Sequence, residues 1–202
     1  ALLPAGRMRE PLSGKNRANI VIITKCPKNT SPMEYRVLTK KMDLFPYQQL
    51  YFTSFQYAKL HPLFNGGQDY PLQKIKPDIH ILLVTGIASP TSMIEELSTV
   101  SSHIHPLTFS DHHDFSAKDM EKIKEEFEKL PEGRRMIITT EKDSTRMATH
   151  PDLDESVKPY IYVLPIEVIF LQDQEKSFNS KIMDYVRKNS RNSRISTQQD
   201  KY

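Results

Sequence analysis

"DIHILLVTGIASPTSMIEELSTV", residues 78–100, decides the fold. Ile79 to Val84 is an uninterrupted apolar run, the composition of a strand covered on both faces. Gly86 permits a tight turn directly after it, and Pro90 stands where a first helical turn tolerates the missing N–H. The segment therefore reads as strand, loop and helix.

Working outward, the same alternation recurs. "ANIVIITK", residues 18–25, is another apolar run and reads as a strand buried on both faces. "NTSPMEYRVLTKKM" follows as a helix, with Ser31 as its cap and Pro32 in its first turn. "QLYFTSF", residues 49–55, is a second, aromatic strand. Residues 56–77 hold Pro62, Gly66, Gly67, Pro71 and Pro77 and read as loop with a short exposed hairpin. Downstream, "SSHIHPLTFSDHH" adds a short strand. Ser116 and Asp119 form a capping box for a helix whose apolar positions are Met120, Ile123, Phe127 and Leu130. Gly133 closes that helix, and "RMIITT", residues 135–140, is a further buried strand. "YIYVLPIEVIF" is a strand broken by Pro165, and "EKSFNSKIMDYVRKN" is a terminal helix. Strands separated by helices imply crossover connections, so the fold class is α/β: a mostly parallel sheet with flanking helices. Ligands of such sheets lie beyond the carboxyl ends of the strands. There the sequence places Thr24 and Lys25, Thr85 and Gly86, Asp111 and His112, and Thr140 to Asp143.

Composition narrows the function classes. The chain has 202 residues, 38% hydrophobic and 26% charged, which is globular material with room for a core. It lacks the run of about 18 apolar residues that a membrane-crossing helix needs. The single Cys26 cannot form an internal disulfide. Arg187, Lys188, Arg191, Arg194 and Lys201 against Asp200 give residues 187–202 a net charge of +4, so the remainder carries −1 of the total +3. The body is therefore not a nucleic-acid footprint. The expected organisation is one domain over residues 1–186 and a disordered basic tail over 187–202.

The motifs leave several chemistries open. A phosphate-cradling loop needs two glycines at the ends of a four-residue gap, followed by Lys and Ser or Thr. "REPLSGKN" has Arg9 where the first glycine belongs and Asn16 where the hydroxyl belongs, so Gly14 and Lys15 read as a turn. Arg7 and Arg9 offer two guanidiniums that grip phosphate or carboxylate, or make a solvated pair with Glu10. In "TTEKD", Lys142 suits a polyphosphate and Glu141 or Asp143 a sugar or a metal-bound water; equally, Thr140 or Asp143 caps the next helical turn while Glu141 pairs with Lys142. "SDHHDF", residues 110–115, fits a histidine held by a carboxylate for proton transfer, a polar loop before the Ser116 helix, or part of a metal site. Adjacent side chains diverge, so one such segment rarely supplies more than two metal ligands.

Six blocks in order, "LLPAGRMREP", "VIITK", "VTGIASP", "FSDHHDFSAKDM", "IITTEKD" and "VLPIEVIF", resemble the carboxyl-terminal portion of the tetraacyldisaccharide 4'-kinase family over residues 1–186. The resemblance implies part of a P-loop kinase that uses ATP and Mg2+ to phosphorylate the 4' hydroxyl of the lipid A disaccharide 1-phosphate precursor in Gram-negative lipopolysaccharide synthesis. It implies a peripheral protein on the cytoplasmic face of the inner membrane, attached through an amino-terminal segment. The Walker A loop and principal Mg2+ ligands are expected upstream of Ala1, leaving a soluble portion, inactive alone, that self-associates through an unpaired sheet edge. His112 matches the histidine of an Asp–His catalytic dyad whose Asp lies outside the chain. Thr24 and Lys25 match a pair near the nucleotide. Glu141, Lys142 and Asp143 match a block beside the phosphates or bracing the His112 loop, and Arg7 and Arg9 match residues facing the anionic substrate or ATP. A metal-dependent phosphoesterase built on the DHH motif and a non-catalytic nucleotide-binding module are the alternatives. The kinase reading predicts that the natural reading frame encodes G-x-x-x-x-G-K-[ST] upstream of Ala1, and gene sequencing that finds none removes its phosphate loop.

Overall fold

In a computed structural model, residues 10–64, 68–111 and 113–199 are described, with backbone only for 190–199. The element order is β1 (Ile20–Ile23), α1 (Pro32–Met42), β2 (Gln49–Tyr57), β3 (His61–Pro62), β4 (His80–Thr85), α2 (Thr91–Ser98), β5 (His103–Thr108), α3 (Ala117–Glu128), β6 (Arg135–Thr139), α4 (Glu141–Ala148), β7 (Ile161–Val163), β8 (Ile166–Phe170) and α5 (Glu175–Gln199). Arg7, Arg9, His112, Gly66 and Gly67 lie outside the described residues.

The chain divides into two compact units, Tyr57–Glu167 and Ala1–Gln56 with Val168–Tyr202. The apolar runs form two separate sheets rather than a single one.

The unit Tyr57–Glu167 is built on a sheet of order β3-β7-β6-β4-β5. β4 pairs in parallel with β5 from His80↔His103 to Thr85↔Thr108 and with β6 from His80↔Arg135 to Val84↔Thr139. β7 continues the parallel run, and β3 closes one edge antiparallel. Side chains alternate across a strand. Leu82 and Val84 accordingly pack with Ile137 against Met120, Ile123 and Phe127 of α3 and Met147 of α4. Ile81 and Leu83 face the opposite way, with Ile138, against Met93 and Leu97 of α2. This two-sided burial is what the unbroken run Ile79 to Val84 encodes, at about 1.5–3 kcal/mol for each large side chain removed from water. In the loop before β4, Leu60 and Tyr70 make an antiparallel bridge with both backbone bonds, matching the expected hairpin.

The caps follow the sequence. Ser31 accepts from the Glu34 N–H while Glu34 accepts from the Ser31 N–H, and Ser116 and Asp119 make the same reciprocal box for α3. In the other unit the sheet order is β1-β2-β8, with β1 parallel to β2. Tyr51 packs edge-on to Phe170 and Phe178, and Phe52 meets Tyr35 of α1. β1 is not buried on both faces: among the described residues it is an edge strand, with Ile22 40% exposed. Its apolar run resembles that of β4, but among the described residues it has a strand neighbour on one side only.

α5 continues to Gln199, so the backbone of residues 187–199, expected as part of a disordered tail, is helical. No glycine or proline interrupts residues 175–199, and Lys, Arg and Gln favour helix even where nothing is buried. Among the described residues no helix is long and apolar enough to cross a membrane.

Leu83→Ala, at a fully buried position, is expected to cost about 2–5 kcal/mol in denaturant unfolding. Val168→Ala, at a 69% exposed position, should stay within about 0.5 kcal/mol. Equal effects at the two positions would contradict the two-sided core.

Candidate functional site

β6 ends at Thr139, and Thr140 is extended (φ −84°, ψ 161°), so its hydroxyl reaches back over the first turn of α4. That hydroxyl accepts from the Asp143 N–H at 3.1 Å and donates to Asp143 Oδ2 at 2.7 Å. The same Oδ2 accepts from the Gly86 N–H at 2.9 Å. Asp143 is fully buried and ties the loop after β4 to the start of α4. Its charge also sits at the positive end of the helix. Oδ1 of Asp143 has no hydrogen-bond partner among the described residues.

This arrangement needs glycine at position 86 for space rather than for an unusual φ. A Cβ there would stand 3.0 Å from Asp143 Oδ1 and 3.4 Å from the Ser110 carbonyl. Beyond β5 the chain makes a turn: the Phe109 N–H donates to the Thr85 carbonyl at 2.8 Å, and the His113 N–H to the Ser110 carbonyl at 3.1 Å. Lys142 Nζ donates to Asp111 Oδ1 at 2.9 Å, and an Arg146 guanidinium N–H donates to the His113 carbonyl at 2.5 Å.

On the other side of the turn, His113 Nε2 lies 2.9 Å from Asp119 Oδ2. The ring stacks on Phe109 at 4.9 Å and meets Phe115 edge-on. Burial opposes ionisation of Asp119, but the Ser116 hydroxyl and N–H and the His113 ring outweigh it, holding the carboxyl at about 2.

The sequence-derived candidates are therefore placed as follows. Glu141, Lys142 and Asp143 begin α4, and Asp111 stands opposite Lys142. The expected Glu141–Lys142 pair does not form, because Lys142 turns to Asp111 while Glu141 accepts from the Ile166 N–H at 3.4 Å. Thr140, not Asp143, is the helix cap. Thr24 and Lys25 are exposed after β1, with Lys25 in the left-handed region at φ 59°, and they belong to the other sheet. The expectation that all these groups share one sheet edge is corrected accordingly. Arg7, Arg9 and His112 lie outside the described residues. Arg146 and the His113–Asp119 pair escaped the sequence reading. The only sequence signal for Arg146 is its position one helical turn beyond Lys142. Among the described residues no group of three or more His, Cys, Asp or Glu side chains is arranged to hold a metal.

Comparison with known proteins gives a consistent result. A family model described as tetraacyldisaccharide-1-P 4'-kinase matches residues 1–187. A tetraacyldisaccharide 4'-kinase of Phocaeicola vulgatus is 67% identical over 195 residues, which is 96% of this chain and 53% of that protein. One from Bacteroides fragilis is 52% identical, covering 98% of this chain and 54% of its own. The crystal structure of an "apo" form of LpxK from Aquifex aeolicus in complex with ATP shares the fold, with a TM-score of 0.52 at 18% identity over 87% of this chain and 45% of that one. The chain thus spans about half the length of the curated relatives it matches.

Two measurements check the site. Gly86→Ala pushes a methyl into Asp143 and is expected to destabilise by about 1–3 kcal/mol in chemical denaturation; no change would mean that the contact yields freely. Because the folded Asp119 carboxyl lies at about 2 against an ordinary 3.8, its contribution is present above about pH 4 and lost as pH falls through about 2. Asp119→Asn should therefore cost about 1–2 kcal/mol at neutral pH, with the difference from the parent shrinking towards pH 2. A pH-independent difference would refute the assignment.

Proposed function

The chain belongs to the tetraacyldisaccharide-1-P 4'-kinase family, and from that premise we propose that it is part of an ATP-dependent kinase acting on the 4' hydroxyl of the lipid A disaccharide 1-phosphate precursor. The observation that carries this reading is the family match over residues 1–187, together with 67% identity to a protein of that name. The metal-dependent phosphoesterase and the non-catalytic module find no comparable support.

Phosphoryl transfer to an alcohol asks the protein to align donor and acceptor, neutralise charge and help the hydroxyl lose its proton. In the proposed scheme His112, partnered by a carboxylate from outside this chain, handles that proton. Arg7 and Arg9 face the anionic substrate or ATP, where paired guanidiniums suit phosphate. Thr24 and Lys25 serve the nucleotide; the left-handed backbone at Lys25, sparsely populated for a residue with a Cβ, supports a functional rather than incidental role. For Glu141, Lys142 and Asp143 the bonds favour a bracing role: Oδ2 of Asp143 is tied to Gly86 and Thr140, and Lys142 to Asp111. The described residues do not assign a Mg2+ site, and Mg2+, which would neutralise phosphate charge, is proposed to be held elsewhere in the complete protein. The complete protein is placed peripherally on the cytoplasmic face of the inner membrane, attached through a segment outside this chain.

The test is phosphate transfer from ATP to the disaccharide 1-phosphate by the complete gene product. Transfer to the 4' position is expected, with His112→Ala lowering kcat on the order of a hundredfold. Unchanged turnover in that variant would remove His112 from the chemistry, and no transfer by the parent would remove the kinase assignment. The isolated 202-residue chain is expected to be inactive and to self-associate through an open sheet edge; a monodisperse monomer in light scattering would contradict the latter.

A further inference from the structure

At the amino ends of β4 and β5, away from the candidate site, the sheet of the unit Tyr57–Glu167 brings histidines together. β4 opens with His80, in register with His103 at the start of β5. Side chains two residues apart share a face, so His80 lies on the side of Leu82 and Val84, and His103 and His105 on that of Leu107, the face that α3 covers. The His80 ring stacks on that of His103 at 4.3 Å and 6°. Its contact with His105 is of another kind: Nδ1 of His80 and Nε2 of His105 are 3.0 Å apart, while the centroids of these nearly parallel rings are 5.3 Å apart. That separation is what two imidazoles meeting nitrogen to nitrogen in one plane give, so one ring donates its N–H in line to the other. A zinc ion in that line would need the nitrogens about 4 Å apart. The pair is therefore a hydrogen bond and not a chelate.

Such a bond requires one unprotonated nitrogen. It survives with both rings neutral or with one proton added, but with a proton on each ring both nitrogens are donors and the contact becomes repulsive. His103 sets a third ionisable ring against His80. Among the described residues none of the three rings has a carboxylate as hydrogen-bond or ion-pair partner. Asp78 favours the charged form of His80 but is shared with Arg134 at 3.3 Å. On β6, Arg135 stands in register with His80 and is itself a cation, its guanidinium lying over the Phe127 ring and donating to the Phe127, Glu128 and Leu130 carbonyls. α3 carries Glu121, Lys124 and Glu128, with Lys124 paired to Asp154. Burial, and then His103 and His105, hold the His80 imidazole below its ordinary value, with Asp78 opposing them.

We propose that His80, His103 and His105 form an acid-released latch: with at most one of them charged they pin the start of β5 to β4, and once two are charged that end of the strand lets go. Among the described residues β5 has β4 as its one strand neighbour, so it is the strand that yields. The latch is independent of the kinase reading. A histidine whose folded value is depressed contributes stability that is present above its ordinary 6.5 and is lost as pH falls below it. Amide hydrogen exchange is measured on the complete gene product at about pH 7 and about pH 5, with rates corrected for the intrinsic effect of pH. Protection at residues 103–105 is expected to fall about tenfold or more, while that of Ile137 and Ile138 in β6 changes by less than about threefold. His80→Gln, which removes the ring common to both contacts, is expected to keep the fall at residues 103–105 below about threefold, and His105→Gln serves as a second variant. No loss in the parent, or an equal loss in the parent and both variants, overturns the latch. A parallel loss at Ile137 and Ile138 also overturns it, since acid would then be opening the whole sheet. Protection of residues 103–105 by added Zn2+ at neutral pH, abolished in His105→Gln, would replace the latch by a metal site.

Discussion

The unit Tyr57–Glu167 depends on β4 losing water from both of its faces at once. Ile81, Leu82, Leu83 and Val84 are all at most 2% exposed, and that requires α2 on one side and α3 with α4 on the other. Parallel pairing to both neighbours then leaves the carboxyl ends of three adjacent strands at one edge of this sheet. The segments that leave that edge contain Gly86 and Asp111 in loops and Asp143 in the first turn of α4. The site is thus a by-product of packing: where the apolar run stops, polar groups are released together.

Most of this architecture was legible because local signals agreed with one another. Unbroken apolar runs marked β4 and β6, and a 3.6-residue apolar spacing marked α3. Serine before a helix with an acidic residue three positions on marked two capping boxes. What escaped depended on neighbours distant in sequence. The run that became β1 looks like the run that became β4, and only the strand order shows that one is an edge and the other central. The number of units was hidden for the same reason, since periodicity reports which strands exist but not which sheet they join. At the carboxyl end, polarity argued against order although residues 175–199 contain no helix breaker, and propensity prevailed.

At the site the residue types were readable but their partners were not. Glu141, Lys142 and Asp143 looked equivalent as a charged block, yet helix geometry sends them to an exposed carboxylate, an ion pair and a fully buried brace. Gly86 looked like a turn former and proved to be a clearance for the Asp143 carboxylate. Among the described residues of this turn, His113 has a carboxylate in reach through Asp119, a residue that spacing had already assigned to a cap. One side chain performing two tasks is hard to anticipate from sequence, because either task alone explains its presence.

That double use of Asp119 has a dynamic consequence. Its Oδ2 accepts at once from the Ser116 N–H, the Ser116 hydroxyl and the His113 ring. The ring of His113 therefore cannot swing away while keeping its bond unless the first turn of α3 loosens as well. Loop and helix start become one cooperative opening unit, so the slow breathing of a helix end, rather than the fast motion of a free loop, sets how often this segment rearranges.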